Sequence, residues 1–197
     1  TARLPDPDAL TRGLGGEPAE LILRQAELWQ EYGAAWLGEL PAVPGATLLF
    51  HRGFAAAAVV EHPGGFVRNG ARLLAAAPVA RVVFRGCTPD ALSLVLSKPW
   101  LDPVCGLTVT WANPPAGVGN RLAEVVATAD HPARLRDLSL FGLRVTNTGA
   151  HAVAAAPFVR RLARLDLAGN KVGDSGALSV ANAVDPAVLR VLDLSGN

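Results

Sequence analysis

Apolar residues recur along this chain in a fixed register. Residues 162–172, LARLDLAGNKV, fit the pattern L-x-x-L-x-L-x-x-N-x-L. The pattern appears again 27 residues earlier, in LRDLSLFGLRV, and 27 residues later, in LRVLDLSGN. With any apolar residue allowed at the leucine positions, it extends toward the N-terminus and places unit starts near residues 54, 79, 104, 135, 162 and 189. We therefore expect a chain built from repeated structural units.

Each unit predicts a short strand followed by a helix. The L-x-L pair sends two side chains to one side, because alternate residues of a strand share a face. Asn170 follows the strand, where its amide can satisfy backbone groups of the turn, and Cys87 occupies the equivalent position. Segments such as GDSGALSVANAV then place apolar residues at helical spacing behind polar capping residues.

One such unit cannot bury its own apolar face, so neighbouring units must stack. The expected fold class is α/β, a solenoid with a curved parallel sheet inside and helices outside. This consensus and these step lengths resemble leucine-rich repeats of the ribonuclease-inhibitor-like type. The three glycines of AGNKVGDSG do not fit a phosphate-binding loop, because Lys171 precedes Gly173 and an aspartate follows it.

The first part of the chain predicts a helical cap. Residues 17–40 carry Leu21, Leu28, Tyr32 and Trp36 at helical spacing, and Pro41 and Pro44 end the stretch. An aromatic stripe of this kind could be a groove for a partner, but packing over the open end of the solenoid is the simpler interpretation. We assign residues 1–48 to the helical N-terminal cap region and residues 49–197 to the solenoid.

Three short segments in the first 90 residues resemble the repeat-companion domain that accompanies bacterial leucine-rich repeats. They are Trp36-Leu37-Gly38, Arg52-Gly53-Phe54 and Ala77-Pro78-Val79. The family normally has another helical segment upstream, which is absent here, and the chain contains no methionine. Both features predict a processed chain or a fragment. The resemblance implies no activity and no functional residues.

Composition and charge narrow the possible functions. The net charge is +1 and the charged residues are dispersed, whereas a nucleic-acid binder usually has a concentrated basic face. No apolar run is long enough to cross a bilayer. Cys87 and Cys105 lack metal-ligand or redox spacing, which favours a reducing, cytoplasmic setting. We expect neither nucleic acid nor membrane as a partner.

Nothing in the sequence predicts catalysis, a metal site or a cofactor. The four histidines, at positions 51, 62, 131 and 151, are scattered without metal-ligand spacing, and the serines lack a nucleophile elbow. Asp137, Asp166 and Asp193 recur through the units and could mimic a carboxylate pair, but on a solenoid they are better explained as a solvated charge ladder. We therefore predict that the protein is not an enzyme.

The concave face of the sheet is the candidate binding surface. In this register the third, fifth and seventh positions of each unit point away from the core. The predicted binding residues are these positions in four units, together with the tryptophan that follows the third strand: Arg81, Arg85, Thr108, Thr110, Trp111, Asp137, Phe141, Arg164 and Asp166.

Arginine and aromatic residues are frequent binding hot spots, so we expect Trp111, Phe141 and Arg85 to lie near one another. Alternatively, Trp111 folds under the longer third unit and packs there.

These expectations favour a non-catalytic protein–protein interaction module whose partner is a protein of unknown identity. The alternative is a structural or regulatory segment of a larger multidomain protein, with no ligand on the concave face. Leu192 and Leu194 in the last strand have no helix after them, so we expect the C-terminal end of the solenoid to pack on further repeats or on another chain.

Overall fold

The computed structural model describes residues 24, 27, 28, 30–33, 35, 38, 40–51 and 54–197. The described residues between 24 and 38 are helical. Most of the expected cap region lies outside the described residues, including Leu21, Trp36 and Leu37. Two residues of the second companion-domain segment, Arg52 and Gly53, also lie outside them.

Seven strands form one open sheet and lie side by side in chain order. The first pair is antiparallel and every later pair is parallel. The strands are β1 (Ala46–His51), β2 (Phe54–Val60), β3 (Arg81–Arg85), β4 (Gly106–Thr110), β5 (Asp137–Ser139), β6 (Arg164–Asp166) and β7 (Val191–Asp193). The predicted α/β class with a mainly parallel sheet is thereby confirmed.

An α-helix connects each pair of successive parallel strands, and each helix packs against the next. The helices are α1 (Pro63–Ala76), α2 (Pro89–Leu96), α3 (Val118–Ala127), α4 (Asn147–Ala155) and α5 (Asp174–Ala183). The ring of Phe66 in α1 meets that of Phe84 in β3 edge-on, with centroids 6.0 Å apart. The helix row therefore covers the sheet face to which Phe84 points. In the described part of the chain, no helix is long and apolar enough to span a membrane.

The core is built from the apolar positions of the repeat. Val82, Leu107, Leu138, Leu165 and Leu192 stand opposite one another across β3 to β7. The first four are at most 2% exposed. The residues that the sequence period aligns therefore share one ladder, and burying each leucine stabilises the stack by roughly 1.5–3 kcal/mol.

The first unit departs from the expected register by one residue. Ala58, not Ala57, pairs with Val82, so this unit starts at residue 55 rather than 54. The segment FAAAAVV contains no polar residue that would identify its solvent-facing side. Its register can therefore be shifted by one residue without any conflict with the sequence pattern. The expected boundary between residues 48 and 49 also falls inside β1, which covers the outer edge of β2.

Asn170 ties two neighbouring units together. Its side-chain oxygen accepts hydrogen bonds from the backbone N–H groups of Leu143 and Val145, both at 2.9 Å. Its Nδ2 donates to the carbonyls of Leu140 at 2.9 Å and Leu167 at 2.8 Å. The side chain is buried, so these bonds satisfy backbone groups that water cannot reach.

A second set of asparagines joins the helices. The Oδ1 of Asn120 in α3 accepts from the N–H groups of Thr146 and Gly149 at the start of α4, at 2.9 and 3.2 Å. The Oδ1 of Asn147 in α4 accepts from Gly173 and Gly176 at the start of α5, at 2.8 and 3.2 Å. Each helix thus satisfies free N–H groups at the start of the next.

Candidate functional site

The sheet face opposite the helix row is here called the open face. It carries the alternate residues of each strand that point away from Phe84, and three of its arginines are well exposed. The side chains of Arg81, Arg85 and Arg164 are 47%, 60% and 45% exposed. Eight of the nine predicted binding residues occupy open-face positions, at the third, fifth or seventh position of their units.

Arg81 reaches across a whole strand. The strand ladder places Gly106 of β4 between Arg81 of β3 and Asp137 of β5. The guanidinium of Arg81 forms a salt bridge with the Asp137 carboxylate on the far side. A Cβ atom at position 106 would lie only 3.1 Å from Cγ of Arg81, so glycine provides the space over which the arginine side chain runs.

The charge network continues into β6. Arg164 lies 3.9 Å from Asp137 and 3.8 Å from Asp166, measured from guanidinium nitrogen to carboxylate oxygen. Asp166 also accepts hydrogen bonds from the Ser139 hydroxyl at 3.0 Å and from the Ala168 N–H at 3.1 Å. Four of the predicted residues, from Arg81 to Asp166, thus form one neutral network across β3 to β6.

Next to this network in β7, Asp193 accepts from both the hydroxyl and the backbone N–H of Ser195, at 2.7 and 3.0 Å. These bonds, with the charge of Arg164 as a smaller cause, hold the pKa of Asp193 below its ordinary value. The carboxylate therefore stays ionised, and the β7 end of the open face carries negative charge.

The carboxyl ends of the strands present a different set of side chains. Arg85 lies 3.7 Å from Glu61, and Thr110 donates from Oγ1 to the Phe84 carbonyl at 3.5 Å. Phe141 is 54% exposed and its ring lies over Gly169, where an added Cβ would be 3.1 Å from Cε2. Phe141 therefore leans toward β6, while Arg85 leans toward β2.

Trp111 does not join Phe141. It is half-buried and packs against the hydrophobic core. No aromatic ring contact links Trp111 to Phe141 among the described residues. The alternative expectation, that Trp111 packs, agrees with this half-buried position.

The position of Trp111 in its unit explains this outcome. Four of the other five units have a left-handed glycine there: Gly86, Gly142, Gly169 and Gly196, with φ between 64° and 68°. A tryptophan is strained in that conformation, so the third unit leaves its strand by a different turn.

Two contributors to the open face were not predicted. Glu61 becomes the seventh residue of the first unit only when that unit starts at residue 55, so the register error concealed it. Gly106 has no side chain that could mark it as a site residue. The sequence indicates its role only through its position, because the aligned units place it between Arg81 and Asp137.

The histidines engage separate partners. His131 Nδ1 lies 2.6 Å from Asp102 Oδ1, and this bond, with a smaller contribution from the Ala133 N–H, lowers the pKa of Asp102. His151 Nε2 lies 3.3 Å from the Ser175 hydroxyl on the helix side. Within the described part of the chain, no histidine links a serine to an aspartate, and no three metal-ligating side chains converge.

No family model matches the chain, and no curated protein or solved structure is significantly similar to it. The candidate site therefore rests on its own geometry. That geometry combines an extended neutral charge network with one exposed aromatic ring and one exposed arginine beside it.

Proposed function

We propose that this chain is a leucine-rich-repeat solenoid, with a helical cap at its N-terminal side, that binds a partner protein on its open face. The aligned apolar ladder, the bridging Asn170 and the left-handed glycines support the repeat assignment. On a solenoid with helices outside, the open face is the concave face. The proposed mechanism is non-catalytic and depends on shape and charge complementarity.

The observation that carries the binding proposal is the exposure of Phe141. A phenylalanine that is 54% exposed, in the turn that follows β5, forgoes about half of the stabilisation that full burial would give it. Arg85, 60% exposed and held only by a 3.7 Å contact with Glu61, is available to a partner carboxylate at little cost. Aromatic and arginine side chains of this kind carry a large share of binding energy at protein interfaces.

Partner capture with matched variants tests the proposal. We expect Phe141→Ala and Arg85→Ala each to reduce recovery of the specific partner from the source organism at least about tenfold. Leu178→Ala and Arg121→Ala are the controls, because Leu178 is 62% exposed on α5 and Arg121 is 64% exposed with one 3.5 Å carboxylate contact. If all four variants recover the same proteins as the unmodified chain, the open face is not the binding surface.

A second candidate function is a structural or regulatory segment without a ligand on the open face. The pairing of Arg81, Asp137, Arg164 and Asp166 with one another favours it, since these charges are already satisfied within the chain. Unchanged capture by the Phe141 and Arg85 variants, together with intact folding, would favour this function over the first.

A further inference from the structure

Exposed arginines gather at the end of the sheet where β5, β6 and β7 begin. They lie in the three segments that lead into these strands, residues 130–136, 157–163 and 185–190. In the sequence they are dispersed, and the side-by-side order of the strands brings them to one end of the sheet. We call this surface the arginine edge, and its residues are Arg134, Arg136, Arg160, Arg161 and Arg190.

The arginine edge follows the repeat. Arg134 and Arg161 occupy the same position in successive units, and Arg136 and Arg190 share another position two units apart. The backbone binds the segments together, since Ala163 donates to the Arg136 carbonyl at 2.7 Å and Arg190 donates to the Ala163 carbonyl at 2.8 Å. Hydrogen-bonded neighbours of this kind are about 4.8 Å apart, so the five arginines share a surface three units wide.

The charges of the arginine edge are not balanced within the chain. Among the described residues, none of its arginines forms a salt bridge. Arg136 donates one hydrogen bond, at 3.4 Å, to the Leu135 carbonyl. Each of the three arginines of the open face, by contrast, forms a salt bridge with Glu61, Asp137 or Asp166. The two surfaces therefore differ in the charge that they offer to a partner.

The acidic residues of the same segments do not offset these arginines. The three segments contain two aspartates, Asp130 and Asp185, and with histidine neutral their net charge is +3. One carboxylate oxygen of Asp185 already accepts from the Ala187 N–H at 2.9 Å. Asp102, which lies beside the first segment, is bonded to His131. An acidic ligand would therefore meet mainly unpaired guanidinium groups.

The residues around the arginines favour carboxylates over nucleic acid as the ligand. Guanidinium groups pair well with carboxylates, often through two parallel hydrogen bonds. Proteins that bind single-stranded nucleic acid add exposed aromatic rings on which the bases stack. Phe158 is buried, and the three segments contain no other phenylalanine, tyrosine or tryptophan. The arginine edge thus offers charge without a stacking surface.

We propose that the arginine edge binds an acidic segment of a partner protein. Aspartate and glutamate side chains of that segment pair with the guanidinium groups that have no carboxylate within the chain. The acidic segment crosses the three units side by side, because the arginines are distributed over all three. This surface is separate from Phe141 and Arg85, which lie at the other end of the strands, and the proposal does not depend on binding at the open face.

Peptide binding to the full chain tests the proposal. The probe is a fluorescein-labelled peptide of alternating glutamate and serine, about eight residues long, which is enough to cross three units. Fluorescence anisotropy measures its affinity. We expect a matched peptide with glutamine in place of glutamate to bind at least about tenfold more weakly, and added salt to weaken the glutamate peptide. No binding of the glutamate peptide, or equal binding of the two, would overturn the proposal. So would tighter binding of a thymidine oligonucleotide of equal length.

Charge variants locate the binding surface. Arg134→Glu combined with Arg161→Glu should lower the affinity for the glutamate peptide at least about tenfold, and the corresponding double change to glutamine should lower it less. Arg68→Glu combined with Arg72→Glu is the control, because these arginines of α1 are also exposed and form no salt bridge with a described residue. An equal loss in the control would show that only net charge matters and would refute the assigned surface. Phe141→Ala should leave peptide binding unchanged, which separates this test from that of the open face.

Discussion

At the scale of single residues, the polar positions of the repeat act mainly on the backbone. Asn170 is the strongest example, since its amide reaches four backbone groups in two successive units at 2.8–2.9 Å. The sequence predicted this role from the place of the asparagine after the L-x-L pair. It could not show that three of these four groups belong to the preceding unit, because that depends on how closely the units stack.

We predict that Asn170→Ala lowers the free energy of unfolding by about 3 kcal/mol or more, because it leaves several buried backbone groups without partners. Urea denaturation measures the change. Asn69→Ala is the control, since the side chain of Asn69 makes one hydrogen bond, to the Gly65 carbonyl at 3.1 Å, and is only partly buried. Similar losses in the two variants would show that the bridging bonds of Asn170 contribute little.

At the scale of elements, the register of a strand could be predicted from the sequence only where apolar and polar residues alternate along it. The strand RLD at Arg164–Asp166 alternates clearly, and the sequence placed it in the correct register. The strand FAAAAVV at Phe54–Val60 has no such contrast, and its register was wrong by one. The expected boundary between residues 48 and 49 divided β1, because a strand that pairs antiparallel at the edge falls outside the repeat pattern.

The spacing between helices depends on two glycines that lie 27 residues apart, at equivalent positions of successive units, Gly149 and Gly176. In α5 a Cβ at Gly176 would lie 2.7 Å from Oδ1 of Asn147 and 2.8 Å from Cγ1 of Val172. Gly149 in α4 has the same environment one unit earlier, beside Oδ1 of Asn120. The recurrence of glycine here follows from the close approach of the capping asparagine. A nucleotide-binding loop is not needed to account for it.

We therefore predict that Gly176→Ala destabilises the protein by about 2 kcal/mol, because the added methyl group displaces the Asn147 side chain that caps α5. This loss is expected even though alanine has a higher helix propensity than glycine. Gly64→Ala is the control, since that glycine is in the first turn of α1 and its nearest neighbour is an Arg68 nitrogen 3.9 Å away. Thermal and urea unfolding measure both changes. A neutral or stabilising Gly176→Ala would contradict the close-approach explanation.

At the scale of the whole molecule, the candidate site arises from alignment between units. Arg81 and Asp137 are 56 residues apart in the sequence. They meet only because Gly106, in the strand between them, has no side chain in the path of the arginine. The sequence register placed both residues on the same face. It could not predict that they pair with each other, nor decide between an exposed and a packed Trp111, since side-chain direction at a strand end depends on the turn that follows.

The units lie side by side in chain order, so each strand contacts only its neighbours in the sheet. The loss of stability caused by a core substitution should therefore depend on whether its strand has one neighbour or two. Leu165 and Leu192 occupy one ladder position, but Leu165 has a strand on each side and is fully buried, whereas Leu192 has one neighbour and is 36% exposed. We predict that Leu165→Ala costs about 3 kcal/mol and Leu192→Ala about 1 kcal/mol, because only the first leaves an enclosed cavity. Urea denaturation of the two variants measures the difference. Equal losses would show that stability is not distributed unit by unit.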